Sequence, residues 1–370
     1  MKNVLYVVGG LDHGGAESFI MNALRNIDHK KYRFIIATFL DPRDGKKYTY
    51  ADELKGLNVK IVKLKDTRFS RPWNFVKQFE QLCKAEDIDI IHSHIDFMSA
   101  LPLLGAKKAG VKKRIAHSHN TFNPHLKHFL GRVIYHFCRY IVRRTATKRL
   151  ACGQAAGRFL YGNRIKFQVI HNGIDLKKFY FKSSARYKMR KDFNLKASDN
   201  IILTTARFEK PKNQSFLIDV LNLLDDNYKL VMVGDGSLRK GLEQKAKSYG
   251  LSSRVIFTGM RDDIENFYSL ADYFVLPSHF EGFPTVCVEA RTNGLKCIVS
   301  DKVSKEVGVL GDMEFLSINP VVSPSIWASY ITENLPNPIS KRSDMKNNKK
   351  IQKFDIKETT KVLEAIYDSR

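Results

Sequence analysis

The stretch "SHFEGFPTVCVEA", Ser278 to Ala290, follows the apolar run Tyr273 to Leu276 and places Glu281 and Glu289 on either side of a Gly-Phe-Pro turn. A proline has a fixed φ and no N–H, which suits the first turn of a helix. Pro284 therefore marks a helix start, and the stretch reads strand, loop, helix. In that helix Thr285 and Glu289 are four apart and share a face, about 6 Å along the axis at about 1.5 Å per residue. The mouth of such a helix favours an anion, and the two carboxylates would flank it.

The same grammar extends in both directions. Short apolar runs such as "NVLYVV", "RFIIATF", "IDIIHSH" and "KRIAHSH" alternate with helix-period segments in the first half, and a second series, "NIILTTAR", "YKLVMVG", "RVIFTG", "YFVLPS" and "LKCIVS", follows the polar stretch Lys177 to Asn200. Runs that are apolar throughout belong to strands buried on both faces, and their alternation with helices predicts parallel sheets. At 370 residues the chain exceeds one ordinary core. The expected architecture is α/β, with two Rossmann-like doubly wound domains at 1–176 and 177–350. "ENLPNPISKRSDMKNNKK" reads as a loop, and the helical pattern within 351–370 is a candidate to return to the first domain.

A formal net charge of +24 calls for an anionic partner, whether phosphate, nucleic acid or an acidic membrane surface. Five scattered cysteines without a C-x-x-C pair suggest neither a disulfide framework nor a zinc site, and fit a reducing cytosol. The opening "MKNVLYVVGG" reads as a buried strand and not as a secretory signal, and no run approaches the ~20 apolar residues that span a bilayer.

Ligands of doubly wound sheets bind beyond the carboxyl ends of the strands, and glycine, histidine, arginine, lysine and glutamate crowd those positions here. Arg207 and Lys212 flank "FEKP" and could clamp a diphosphate, or form a solvated basic loop. "GGLDHGGAES" is neither a dinucleotide fingerprint nor a Walker loop, and Gly15 at its helix start serves either a phosphate or plain turn chemistry. Histidines alternate in "IIHSH" (Ile90 to His94) and "IAHSHN" (Ile115 to Asn120), both at strand ends. "DID" (Asp87 to Asp89) precedes its strand and reads as a turn. Lys107 to Leu150 carries twelve Lys/Arg and no Asp or Glu. Within it Phe129, Leu130, Val133, Phe137, Tyr140, Ile141 and Val142 are interleaved with Lys127, Arg132, Arg139, Arg143 and Arg144, which reads either as a membrane-surface helix or as a core helix with a basic wet face.

With "GGAE", "HSHN", "HNGID", "ARFEKPKN" and "EGFPTVCVEA" with its Glu-x7-Glu spacing in this order, residues 1 to about 300 resemble the family 4 retaining glycosyltransferases of the GT-B superfamily, in particular those of bacterial exopolysaccharide, capsule and O-antigen synthesis. The resemblance implies an acceptor site in the first domain, a nucleotide-sugar site in the second and an active site in the cleft between them. It makes Glu289 the ligand of the ribose and Glu281 that of the donor sugar. Backbone N–H groups from Gly282, Phe283, Pro284, Thr285 and Val286 (proline contributing shape alone) would meet sugar and diphosphate. Arg207 and Lys212 would stabilise the departing diphosphate without a metal, Gly15 would approach it from the first domain, Met260 and Arg261 would meet the base, and His119 would stand at the reacting sugar. Asn213 departs from a glycine that many relatives carry.

The implied activity moves a sugar from a nucleotide-sugar, by family frequency a UDP-sugar, to a polyprenyl-diphosphate-linked glycan on the cytoplasmic face of an anionic membrane. No cofactor or metal is expected. A sugar-nucleotide 2-epimerase and a basic nucleic-acid-binding protein are the alternatives; the Gly/Glu strand-end loops speak against the second.

Overall fold

The computed structural model describes residues 1–12, 14–42, 45, 47–121, 126 and 128–369. The chain divides into two compact units, Met1–Gly173 with Ile356–Arg370, and Ile174–Asp355. The division falls three residues before the expected boundary of 176, and the closing helix belongs with the first unit.

The first unit holds seven strands, β1 (Lys2–Val7), β2 (Tyr32–Thr38), β3 (Lys60–Lys63), β4 (Ile90–Ser93), β5 (Lys113–Ser118), β6 (Lys148–Ala151) and β7 (Gln168–Val169), ordered β3-β2-β1-β4-β5-β6-β7. The second holds β8 (Asn200–Thr205), β9 (Tyr228–Val233), β10 (Val255–Gly259), β11 (Tyr273–Leu276), β12 (Lys296–Ser300) and β13 (Met313–Leu316), ordered β10-β9-β8-β11-β12-β13. Every pairing between these strands is parallel. The central strands are apolar at successive positions because both faces are covered: Leu5 and Val7 pack on one side of the first sheet and Val4 and Tyr6 on the other. Strand order reverses between β1 and β4 in the first sheet and between β8 and β11 in the second, and these switch points are where doubly wound sheets open for ligands.

Three details depart from the expectations. The strand β13, "MEFL", is not among the strands read from the sequence; it is a short, half-buried edge strand. The stretch expected as a loop instead forms short helical turns, Ile339–Arg342, Ser343–Asn347 and Lys349–Gln352. Arg342 pins them. Its guanidinium is buried and donates to the carbonyls of Ala271 (2.8 Å), Tyr268 (2.8 Å) and Asn293 (3.1 Å) and to the Asn293 side chain. Burial pulls its pKa down to about 9. Polar residues mark a loop only when they face water, and here one faces a ring of carbonyls. Lastly, Val142 of the basic Phe129–Thr145 helix is core, together with Tyr135 and Cys138.

The closing helix, Ile356–Asp368, lays Leu363, Ile366 and Tyr367 against the β1 side of the first sheet, where Lys113 donates to the carbonyls of Ile366 (2.8 Å) and Tyr367 (2.9 Å). Asp87 turns with φ 48°, and the Asp89 carboxylate accepts from the Asn3 N–H at 2.8 Å, so "DID" is the strand-entry turn it was read as.

Arg342→Ala strips the donor from several buried carbonyls at once and is expected to lower the stability of the second unit by on the order of 3 kcal/mol in urea denaturation. Lys341→Ala, at an exposed neighbour, should stay within about 0.5 kcal/mol of wild type.

Candidate functional site

At the switch point of the second sheet, the loops after β8 and β11 are stitched together. The His279 N–H donates to the Pro211 carbonyl at 2.8 Å and Asn213 Nδ2 to the Pro277 carbonyl at 3.2 Å. Asn213 makes this possible by taking φ 55°, in the left-handed region. Asparagine is among the few residues other than glycine that enter it routinely, which is how it serves at a position where the family resemblance implies a glycine. The junction brings Lys212 to Glu281: the ammonium pairs with Glu281 Oε1, and Ser278 Oγ donates to the same oxygen at 3.2 Å. Arg207 turns to Glu209 at 2.9 Å. Each basic residue of the expected clamp thus already has a carboxylate partner.

The helix that follows runs Thr285–Thr292, with Pro284 as the residue before it, at φ −71° and ψ 118°. Pro284 was expected inside the first turn; its ring tolerates the extended ψ equally well, and the helix begins one residue later. No side chain caps this end, which leaves first-turn N–H groups to face a partner of another kind. Phe283 is buried and stacks on Phe354, with ring centroids 5.4 Å apart, so what it offers to the mouth is backbone. Val286 packs against the same core, and Gly282 is half-buried.

One turn in, Glu289 accepts a hydrogen bond from Tyr268 Oη at 2.6 Å, and Tyr268 Oη is 2.9 Å from Thr205 Oγ1. Since the phenol donates to the carboxylate, Thr205 donates to the phenol. Burial pushes the Glu289 carboxyl up to about 7, and the Tyr268 bond only partly offsets it. Tyr268 escaped the sequence reading, because a tyrosine at an apolar-period position of a helix looks like core. Met260 stands exposed after β10, beside an Arg261–Asp263 pair at 2.8 Å.

In the first unit the loop from β1 ends at Gly14, and the helix Gly15–Asn26 begins. A Cβ on Gly14 would lie 2.2 Å from Glu17 Oε2, whereas around Gly15 there is open space. His13 lies outside the described residues. From β4 and β5 come four imidazoles in two stacked layers. His92 Nε2 is 3.2 Å from His117 Nδ1, in parallel planes, and His94 Nδ1 is 2.9 Å from His119 Nε2. Successive histidines of one strand lie side by side at a tilt, with centroids 4.1 Å apart and 32° between planes for His92 and His94, and 4.3 Å and 30° for His117 and His119. Phe19, one turn past Gly15, abuts three of the rings. His92 Nδ1 meets Tyr367 Oη at 2.8 Å, and that oxygen meets Tyr6 Oη at 2.8 Å. Burial drives His119 down to about 3 and the other three well below the ordinary histidine value. His117 is fully buried; His119 is the less enclosed of the two.

His92, His94 and His117 each bring one nitrogen within 4.8 Å of the others, a spacing compatible with a metal ion. Both nitrogens of His92 are already engaged, Nδ1 by Tyr367 Oη and Nε2 by His117 Nδ1, so an ion would have to displace one of those contacts. Asp96 is a further residue that the sequence reading missed. Its buried carboxylate accepts from the His119 N–H (2.8 Å), the Asn120 N–H (3.1 Å), Asn120 Nδ2 (2.6 Å) and Ser118 Oγ (3.2 Å). Its φ of 49° was the only available signal, and it is a tertiary one.

Two doubly wound parallel-sheet units, with glutamates, basic residues and a helix mouth at the second switch point, have the architecture of the GT-B fold. Comparison with known proteins agrees: residues 185–352 match the glycosyl transferases group 1 model and residues 13–178 the Glycosyltransferase Family 4 model. EpsF of Bacillus subtilis, named as a glycosyltransferase, is 32% identical over 99% of this chain and 96% of its own. The UDP-Gal:α-D-GlcNAc-diphosphoundecaprenol α-1,3-galactosyltransferase of Escherichia coli is 30% identical over 60% of each chain. Among solved structures, Anabaena HepE in complex with UDP superposes with a TM-score of 0.81 at 19% identity, over 99% of both chains. The chain belongs to glycosyltransferase family 4 and is a glycosyltransferase.

Folding raises the affinity of the Glu289 carboxyl for its proton, so wild-type stability should fall as pH rises from the ordinary value of 4.5 through about 7. Glu289→Gln removes this dependence. The variant is expected to gain on wild type between pH 5 and 8 by on the order of 2 kcal/mol, less than the full 1.36 kcal/mol per unit because the residue keeps some solvent contact. Parallel pH profiles of thermal denaturation for the two proteins would refute the buried-carboxyl assignment.

Proposed function

We propose that this chain moves a sugar from a UDP-sugar to a glycan carried on a polyprenyl diphosphate during assembly of a cell-surface polysaccharide, with retention of anomeric configuration and without a metal. The observation that carries the reading is the uncapped mouth of the Thr285–Thr292 helix, with Lys212 and Glu281 beside it and Glu289 one turn inside. A diphosphate at the mouth would meet the N–H groups of Thr285 and Val286, the ribose hydroxyls would donate to Glu289, and the sugar hydroxyls would meet Glu281. Arg207 and Lys212 would turn from their carboxylates to the developing charge of the leaving diphosphate, which is electrostatic stabilisation supplied by the protein itself. Met260 would meet the base.

In this scheme the acceptor oxygen bonds the anomeric carbon on the face from which the nucleoside diphosphate departs, and the acceptor proton passes to the leaving phosphate oxygen. No enzyme nucleophile is then required. Support for the donor and acceptor classes comes from the relative that uses UDP-Gal and a diphosphoundecaprenol-linked sugar.

No helix among the described residues is long and apolar enough to cross a membrane, so a lipid-linked acceptor has to be reached from the surface. The Phe129–Thr145 helix suits that task. Phe129, Leu130, Val133, Phe137 and Tyr140 are exposed beside exposed Arg132 and Arg144. Arg139 has another task, donating from Nε to the Leu160 carbonyl at 2.8 Å. Lys127 lies outside the described residues.

In steady-state kinetics with the native donor, Glu289→Ala should raise the donor KM about tenfold or more, and Glu281→Ala should chiefly lower kcat. Unchanged donor affinity in Glu289→Ala would remove the ribose assignment, an inverted product anomer would remove retention, loss of activity in EDTA would remove metal independence, and an epimer formed from donor alone would favour the 2-epimerase.

Co-sedimentation with anionic vesicles is expected at low salt. Arg132→Gln with Arg144→Gln should weaken it by about 2 kcal/mol, roughly thirtyfold. Equal binding to neutral vesicles would return the helix to a merely basic wet face.

A further inference from the structure

We propose that Arg139 and Arg143 form a binding site for a phosphate group within the first unit, above Gly162 at the end of the Gln154–Tyr161 helix. The two arginines are four apart on the Phe129–Thr145 helix and share a face. A Cβ built on Gly162 would lie 2.8 Å from Arg143 Nη2 and 3.1 Å from Arg139 Nη2, so both guanidiniums converge on one spot that a glycine leaves clear. Gly162 itself sits at φ 82°, which disfavours any side chain there for a second reason.

Two like charges held together call for an opposite charge, and this neighbourhood supplies none. From residue 97 to residue 174 the chain has no Asp or Glu. Other arginines of low exposure are matched with acids: Arg33 with Glu86 at 2.8 Å, Arg186 with Asp272 at 2.6 Å and Arg291 with Asp312 at 2.8 Å. Among the described residues, neither Arg139 nor Arg143 takes part in an ion pair.

Capping of the neighbouring helix accounts for only part of the arrangement. Of the carbonyls at its end, that of Arg158 accepts from the Gly162 N–H at 2.8 Å, that of Phe159 from Tyr135 Oη, and that of Leu160 from Arg139 Nε at 2.8 Å. Arg139 is fixed by that bond and by the Tyr135 ring, 4.9 Å from its guanidinium carbon, which leaves its Nη groups for another acceptor. Arg143 finds no carbonyl at all. Its guanidinium donates to nothing among the described residues, and its Nε is buried without an acceptor. A third guanidinium, that of Arg149, donates to the Arg143 carbonyl at 2.6 Å, and its Nε is likewise buried without an acceptor. Burial holds Arg139 below its ordinary pKa, and the charge of Arg143 presses the same way.

Water can solvate the open ends of these side chains but adds no charge. A phosphate group supplies both charge and acceptors, since its oxygens take N–H donors from two planar forks at once, the geometry for which arginine is suited. Two sources offer one: a phospholipid headgroup and free phosphate. Exposed Phe137 and Tyr140 on the same helix favour the headgroup, because a bilayer interface that met them would bring its phosphates to the arginines. The site itself stands apart from the transferase reading; only the headgroup source rests on the membrane approach proposed above.

The test uses the full-length protein, 15N-labelled at arginine, titrated with inorganic phosphate in a phosphate-free, low-salt buffer, with chloride at equal ionic strength as the reference. The Nε–Hε signals of Arg139 and Arg143, assigned with Arg139→Gln and Arg143→Gln, should shift along one saturation curve with phosphate and not with chloride. The melting temperature should rise by about 3 °C at saturating phosphate. Arg143→Gln should lose at least half of that rise, whereas Lys191→Gln, the same charge change at an exposed position of the second unit, should keep it. Before phosphate is added, Arg143→Gln should melt at or above wild type, because it gives up no internal partner and relieves a like-charge contact. A loss of more than about 3 °C there, or failure to fold, would show that Arg143 serves the fold and would overturn the site. So would a shift matched by chloride, or a phosphate response equal in wild type and Arg143→Gln, the result expected if phosphate acts only in the second unit.

Vesicles identify the source. On vesicles of mixed phosphatidylglycerol and phosphatidylcholine, Arg143→Gln should weaken binding about fivefold beyond the loss seen in Lys191→Gln, and free phosphate should compete. If Arg143→Gln loses the phosphate response in solution but matches Lys191→Gln on vesicles, the site takes free phosphate. Absence of all vesicle binding would remove the membrane approach and leave the phosphate site standing on the titration.

Discussion

Parallel pairing is the constraint from which the rest follows. Every strand pair in both sheets runs in the same direction, so each sheet delivers all its strand-to-helix loops to one edge, and its strands must be apolar on both faces. Polar chemistry is thereby expelled from the sheet interior and concentrated at the carboxyl ends. Where strand order reverses, two such loops diverge around a gap. In the second unit those are the loops of Lys212 and Glu281, and in the first the loops of Gly14–Gly15 and His94–Asp96. The chemistry is local to these edges because nowhere else in a buried sheet can it be solvated.

Within the second unit, charge is held in a poised and not a spent state. Lys212 is neutralised by Glu281 and Arg207 by Glu209, which limits the cost of keeping cations at a half-buried site. On the proposed function, an arriving diphosphate would exchange those partners and would not have to create new ones. Glu289 differs. Its environment favours the protonated acid, and Tyr268 with Thr205 holds the carboxyl in place, so the group is ordered before any hydroxyl reaches it. Preorganisation of this kind lets binding proceed without the loss of side-chain freedom that a surface glutamate would suffer.

The first unit solves a different problem. Its helix Phe129–Thr145 serves two masters along one axis: Tyr135, Cys138 and Val142 face the core, while Phe137 and Tyr140 face out beside Arg144. Its histidines form a stacked polar array inside an otherwise apolar face, closed from below by Tyr367 of the returning helix. Tyr367 of that helix links Tyr6 to His92, which ties the helix into the core of the first unit.

Much of this was legible from residue order. Apolar runs announced the central strands, because burial on both faces leaves no alternation to confuse with a helix, and the Glu-x7-Glu spacing around Pro284 marked the helix mouth. The strand Met313–Leu316 stayed hidden because it is only four residues long and only partly buried. What the tertiary structure alone decided is partnership. That Lys212 meets Glu281, 69 residues on, that Tyr268 holds Glu289, that Arg342 turns a Pro/Asn/Lys stretch inward, and that Asp96 and His94 fix His119 all depend on which elements pack together. A local pattern encodes the period of burial along one element. It carries no record of the side chain that a neighbouring element brings to the same point in space.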